Sequence, residues 1–211
     1  MRAFVAVLPP QPAVEDLSDF LTPRREASGA GAPAPRWTRD EHLHLTLAFL
    51  PEVADRDVDE LVERLGEAAA ARTVGPVRLA GGGAFPDAAS ARVLWVGVEP
   101  AGGAAGPQTA PVPNGAAGPD AAEGLARLAG GVRSAAGRAG VVVEGGPFRP
   151  HVTVARMGRA QEATRWLRVL RTYRGPQWQP DEVALIASHL GQGPRRTPRY
   201  EVLETFALAR G

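Results

Sequence analysis

The chain contains no cysteine and no lysine among its 211 residues. Without Cys there is no disulfide framework and no thiolate chemistry, a composition compatible with a reducing, cytoplasmic setting. Without Lys, the Gly81-Gly82-Gly83 run lacks the Gly-Lys-Ser/Thr ending of a phosphate loop, and no helix is expected after it; a turn or bulge is the expectation there. Every basic residue is therefore Arg, whose planar guanidinium suits bidentate phosphate contacts, although a GC-rich coding bias that inflates Ala, Gly and Pro also accounts for the missing Lys. Long apolar runs are absent as well. No segment approaches the roughly 20 residues needed to span a membrane. The opening Met1–Leu8 has one charge and an apolar run, but Pro9, Pro10, Glu15 and Asp16 follow without a cleavage site, so a first strand is expected rather than a signal peptide.

Hydrophobic residues make up 44% and charged residues 22%, as in a soluble folded protein. The length suits either one domain over 1–211 or two small lobes. A net charge of +1 conceals an imbalance: residues 1–120 hold 10 Arg against 16 acids, and residues 121–211 hold 14 Arg against 7. The second half is the expected side for a polyanion. From Pro100 to Gly118 the chain is mostly Ala, Gly and Pro, too poor in large side chains to order itself, and is expected as a surface insertion.

Strand and helix signals alternate along the rest. A helix is expected from Pro12 to about Pro23, another over 55–71 with Val58, Leu61, Val62 and Leu65 inward, a third over about 121–139 and a basic one over 161–173. Strands are expected at Val77–Ala80, Arg92–Val98, Val183–Leu190 and Tyr200–Ala209. Two further strands, about 42–50 and 148–157, carry the chemistry. Each holds one His-x-Thr unit, His44-Leu45-Thr46 and His151-Val152-Thr153, and period-two alternation puts imidazole and hydroxyl on one face with the apolar residues behind. Two such strands facing each other supply two proton-transfer groups.

His42 shares the face of His44 in a regular strand but lacks a Thr two residues on, so it is expected at the rim. His189 is expected either at the border of a cleft or packed at a strand end. No acid accompanies the histidines on one face, which disfavours a metal, and no cofactor is expected.

These segments resemble a known family. His44-Leu45-Thr46-Leu47 with Phe49-Leu50, Phe85-Pro86 before Val93–Val98, Phe148-Arg149-Pro150-His151-Val152-Thr153-Val154-Ala155-Arg156, and Ser188-His189-Leu190 with Tyr200 and Phe206 are similar to the RNA 2′,3′-cyclic phosphodiesterases of the two-histidine phosphoesterase superfamily, often labelled 2′-5′ RNA ligases. The similarity runs from Arg2 to Leu208. It implies an α+β fold with two pseudo-symmetric lobes of antiparallel sheet, outer helices and a central cleft. It also implies that His44 protonates the departing O3′ while His151 activates water, leaving a 2′-phosphate, with weak 2′-5′ joining in reverse. Thr46 and Thr153 would donate to non-bridging oxygens or orient the imidazoles. Arg156 matches a phosphate-binding position of the family, yet its odd offset from His151 turns it to the other face unless a bulge or twist intervenes.

For an RNA partner, Arg149, Arg195, Arg196 and Arg199 are candidates for a phosphate track, and Phe4, Trp37 or Tyr200 for stacking on a base, whereas Trp95 and Trp166 read as core. The expected species is a monomer without a membrane partner. Two other readings stand beside the RNA enzyme: a non-catalytic RNA end-binding module, and the same fold acting on a small cyclic nucleotide.

Overall fold

The computed structural model describes residues 1–27, 35–101, 119–193 and 198–210. In chain order these form β1 (Ala3–Val7), α1 (Gln11–Ala27), β2 (Arg36–Trp37), β3 (Leu45–Leu50), α2 (Val58–Ala70), β4 (Val77–Phe85), β5 (Ala91–Pro100), α3 (Pro119–Arg138), β6 (His151–Gln161), α4 (Thr164–Leu170), β7 (Arg174–Trp178), β8 (Glu182–His189) and β9 (Arg199–Ala207). The Ala/Gly/Pro insertion lies almost wholly outside the described residues, as do Arg195 and Arg196. No described helix is long and apolar enough to cross a membrane.

The strands form one antiparallel sheet ordered β7-β4-β5-β6-β3-β1-β8-β9, with β2 alongside β6. Its middle is a thin seam, because β3 pairs with β6 only at Leu45 and Val152. β7, β4, β5 and β6, with β2 beside it, lie on one side of that seam and β3, β1, β8 and β9 on the other. The α+β fold with two antiparallel lobes is therefore two wings of a single sheet. The wings mix the two ends of the chain, since β1 and β3 share one wing with β8 and β9. The second sequence half, which carries the excess of Arg, is thus divided between the two wings.

Helices cover one face. Leu17 and Leu21 of α1, Leu61 and Leu65 of α2, Leu125 and Leu128 of α3, and Leu170 of α4 enter a common core with alternate strand residues. Burying such a side chain contributes about 1.5–3 kcal/mol, which offsets the ordering of the chain. The opposite face bears a small separate cluster, Phe4, Ala6, Ala184 and Ile186, to which no helix contributes.

Several elements differ from the expected pattern. Pro23 lies inside α1 rather than ending it. The carbonyl it leaves unbonded belongs to exposed Asp19, on the solvent side of the helix, where water can take the place of the missing N–H. The glycine run is a bulge within β4: register shifts between Ala80 and Gly83, and Gly81 takes a positive φ of 62°. The basic helix shortens to Thr164–Leu170, because β6 runs on through Gln161. β7, with Pro176 in it, is an edge strand, the place in a sheet that tolerates a missing N–H.

Candidate active site

Both histidines flank the seam. The Leu45–Val152 pair sets a register in which His44 lies across from Thr153 and Thr46 across from His151, while Leu45 and Val152 drop into the core. The two His-x-Thr units are thus arranged reciprocally, all four side chains half-buried on the face away from the helices.

The rings are held alike. His44 Nδ1 lies 2.7 Å from the carbonyl of His42, and His151 Nδ1 lies 2.6 Å from the carbonyl of Arg149. A carbonyl only accepts, so Nδ1 carries the proton in each neutral ring and Nε2 carries the lone pair. Phe4 stacks on His44 at 4.6 Å, and Phe85 meets His151 edge-on at 4.9 Å with Trp95 at 6.0 Å. Desolvation by these surroundings lowers the pKa of His44 to about 4, opposed by the His42 carbonyl and reinforced by Arg156, His42 and His151. His151 is lowered for the same leading reason, with Arg156 and Arg149 adding to it. At neutral pH both imidazoles are neutral.

Arg156 faces this site. Leu94 pairs with Ala155 but Trp95 pairs with Thr153, which leaves Val154 as an extra residue in β6. Val154 and Ala155 are both fully buried, so the alternation slips by one and Arg156 rejoins the face of His151 and Thr153. The same device occurs in β3, where Val5 pairs with Ala48 and Ala6 with Thr46, leaving Leu47 extra and returning Phe49 to the face of His44. Arg156 acts electrostatically on both histidines and on Tyr200. The hydroxyls of Thr46 and Thr153 have no hydrogen-bond partner among the described residues, and the imidazoles are oriented by backbone carbonyls instead.

The remaining expected site residues divide. Tyr200 lies edge-on to Phe4 at 5.0 Å and packs on His42 at 4.6 Å, beside a hollow lined also by Leu8, His44, Ile186 and Val202. Arg149 is exposed at the rim next to His151. Phe4, expected as a base-stacking ring, is only 4% exposed and spends its face on His44 itself. Trp37, expected likewise, is turned into the core against Trp166 at 5.4 Å. Arg199 is paired with Glu201 at 3.2 Å, as is His189 at 3.1 Å, so neither is a free phosphate contact. His42 ends a 3-10 turn, Asp40–His42, rather than sharing a strand face with His44.

That turn is anchored by residues the sequence reading passed over. Ser18 Oγ donates to Asp40 at 2.6 Å and Arg25 donates to its other oxygen at 2.9 Å, fixing the turn whose last carbonyl holds His44. Arg2 lies over the Phe49 ring at 4.5 Å on the same face as Phe4; its i, i+2 spacing from Phe4 was the available signal. Among the described residues no three His, Cys, Asp or Glu side chains gather as a metal site.

Comparison with known proteins gives a consistent outcome. The family model described as LigT like Phosphoesterase matches residues 8–95 and 117–195. A Thermus thermophilus protein named RNA 2′,3′-cyclic phosphodiesterase is 31% identical, across 99% of this chain and 90% of its own length. A crystal structure of a Thermus thermophilus protein superposes with a TM-score of 0.68 at 26% identity, covering 99% of this chain and 98% of the other. E. coli LigT complexed with 3′-AMP gives a TM-score of 0.66 at 26% identity with the same coverage.

Proposed function

Because the chain belongs to the LigT-like phosphoesterase family, we propose that it hydrolyses the terminal 2′,3′-cyclic phosphate of RNA to a 2′-phosphomonoester without a metal ion. The observation that carries this reading is the reciprocal pair of imidazoles at the seam, each with Nε2 left free by its own Nδ1 contact. In-line displacement at phosphorus needs a base on the side of the attacking water and an acid on the side of the departing oxygen. Neutral His151 takes the water proton at Nε2 as the new P–O bond forms. His44, as imidazolium, gives its Nε2 proton to O3′ as the P–O3′ bond breaks.

Both histidines are neutral at pH 7, so the acid must acquire its proton on binding. The cyclic phosphate brings a negative charge, which favours the imidazolium, and its contact with Arg156 offsets the cation that otherwise opposes protonation. The unpartnered hydroxyls of Thr46 and Thr153 donate to the non-bridging oxygens as charge builds there. After turnover His151 is protonated and His44 neutral, and exchange with solvent restores the starting state. A 5′-hydroxyl in place of water gives a 2′-5′ bond by the same two proton transfers.

The test is an oligoribonucleotide ending in a 2′,3′-cyclic phosphate, incubated with the protein in excess EDTA. Conversion to a 2′-monophosphate end is expected, and His44→Ala or His151→Ala should each slow it by about 10²- to 10⁴-fold. A substrate that persists with wild-type protein overturns the reading. A 3′-monophosphate product overturns the assignment of O3′ as the leaving oxygen.

A further inference from the structure

Arg36 stands directly across from Arg156 in the antiparallel pairing of β2 with β6. Cross-strand partners leave a sheet on the same side, so Arg36 shares the face of the two histidines. Like charges opposed in this way destabilise the strand pair. Among the described residues neither guanidinium has an ion-pair partner. Nor does Arg36 anchor β2, which is held by Trp37 in the core and by the Thr38 N–H donating to the Val154 carbonyl at 2.9 Å. Two arginines paired across neighbouring strands, exposed and without an acidic partner among the described residues, are suited to an anion that binds between or across them.

We propose that Arg36 is a second phosphate clamp, gripping the phosphodiester on the 5′ side of the terminal nucleotide while Arg156 holds the cyclic phosphate, so that an RNA end is preferred over a mononucleotide. This rests on the cyclic phosphodiesterase reading above. A mononucleoside 2′,3′-cyclic phosphate carries one negative charge, and each added nucleotide brings one more. Two adjacent guanidiniums match two consecutive phosphates, and each presents the planar fork that phosphate accepts bidentately. The other side of the site is bordered by a hollow of mixed character, lined by Tyr200, Ile186 and Val202 together with Glu41, His42 and His44. The backbone of the RNA is thereby drawn toward β2 and β6.

The experiment compares kcat/KM for a mononucleoside 2′,3′-cyclic phosphate with that for a dinucleotide ending in the same group, in wild type, Arg36→Ala and Arg36→Gln. The dinucleotide-to-mononucleotide ratio is expected to fall about tenfold in both variants, the loss of one charge-assisted contact. The salt dependence of the dinucleotide kcat/KM should flatten by about 0.7 in log–log slope. The melting temperature should hold or rise, because the repulsion with Arg156 is gone. Equal losses on both substrates, an unchanged ratio, or a fall in melting temperature that accounts for the loss would overturn the clamp. Wild-type protein that converts neither substrate would instead sink the cyclic phosphodiesterase reading, and the clamp with it.

Discussion

His44 is the most strongly shifted histidine of the pair, and its burial has a consequence for stability as well as for chemistry. Its pKa of about 4 lies below the 6.5 of an exposed imidazole. Between those values the unfolded chain binds a proton that the folded protein does not, so stability falls as pH drops through that window and is unaffected by this group above it. Urea unfolding measured from pH 7 to pH 4 should show that decline, and His44→Gln should remove part of it. Arg156 lowers both histidines, so Arg156→Gln should move both limbs of the kcat/KM profile toward alkaline pH while also weakening turnover. The two His-x-Thr units were legible because period-two alternation needs nothing beyond the residues themselves. Arg156 was named through the resemblance, but its orientation was not legible, since it depends on the extra residue Val154, and a bulge between Val154 and Ala155 leaves no mark in composition.

Among the elements, β4 shows how a glycine run shapes the surroundings of His151. A Cβ on Gly83 would collide with the Trp95 ring, which lies over that position and flanks His151. Gly83→Ala should push the indole toward His151, cost about 1–3 kcal/mol of stability and reduce kcat several-fold, read by denaturant unfolding, tryptophan emission and turnover. The sequence showed that this run was not a phosphate loop, yet the reason glycine is required comes from Trp95 on the neighbouring strand. Amphipathic α2 and α3 were readable from their apolar period. β7 was not, because Arg174-Gly175-Pro176 has the composition of a turn and becomes a strand only through its place at the sheet edge.

At the scale of the molecule, the site exists only where the wings meet, so a ligand held by both should stabilise the whole fold. A nucleoside 2′-monophosphate at about 100 times its Kd should add about 2.7 kcal/mol to unfolding, and Arg156→Gln should forfeit most of it at the same concentration. The two-winged architecture was implied by the resemblance, but the continuity of the sheet was not legible, since one residue pair at the seam carries it. Helix α1 also spans what the seam divides. It packs against β4 and β7, receives the Tyr173 hydroxyl on Asp16 at 2.7 Å, and through Ser18 and Arg25 grips the turn that ends at His42. The jaws are strapped together from behind, and the gauge between them is set before anything enters. Such a caliper favours the guest that already matches its gauge, so a phosphodiester of the wrong span should be refused in kcat more than in KM.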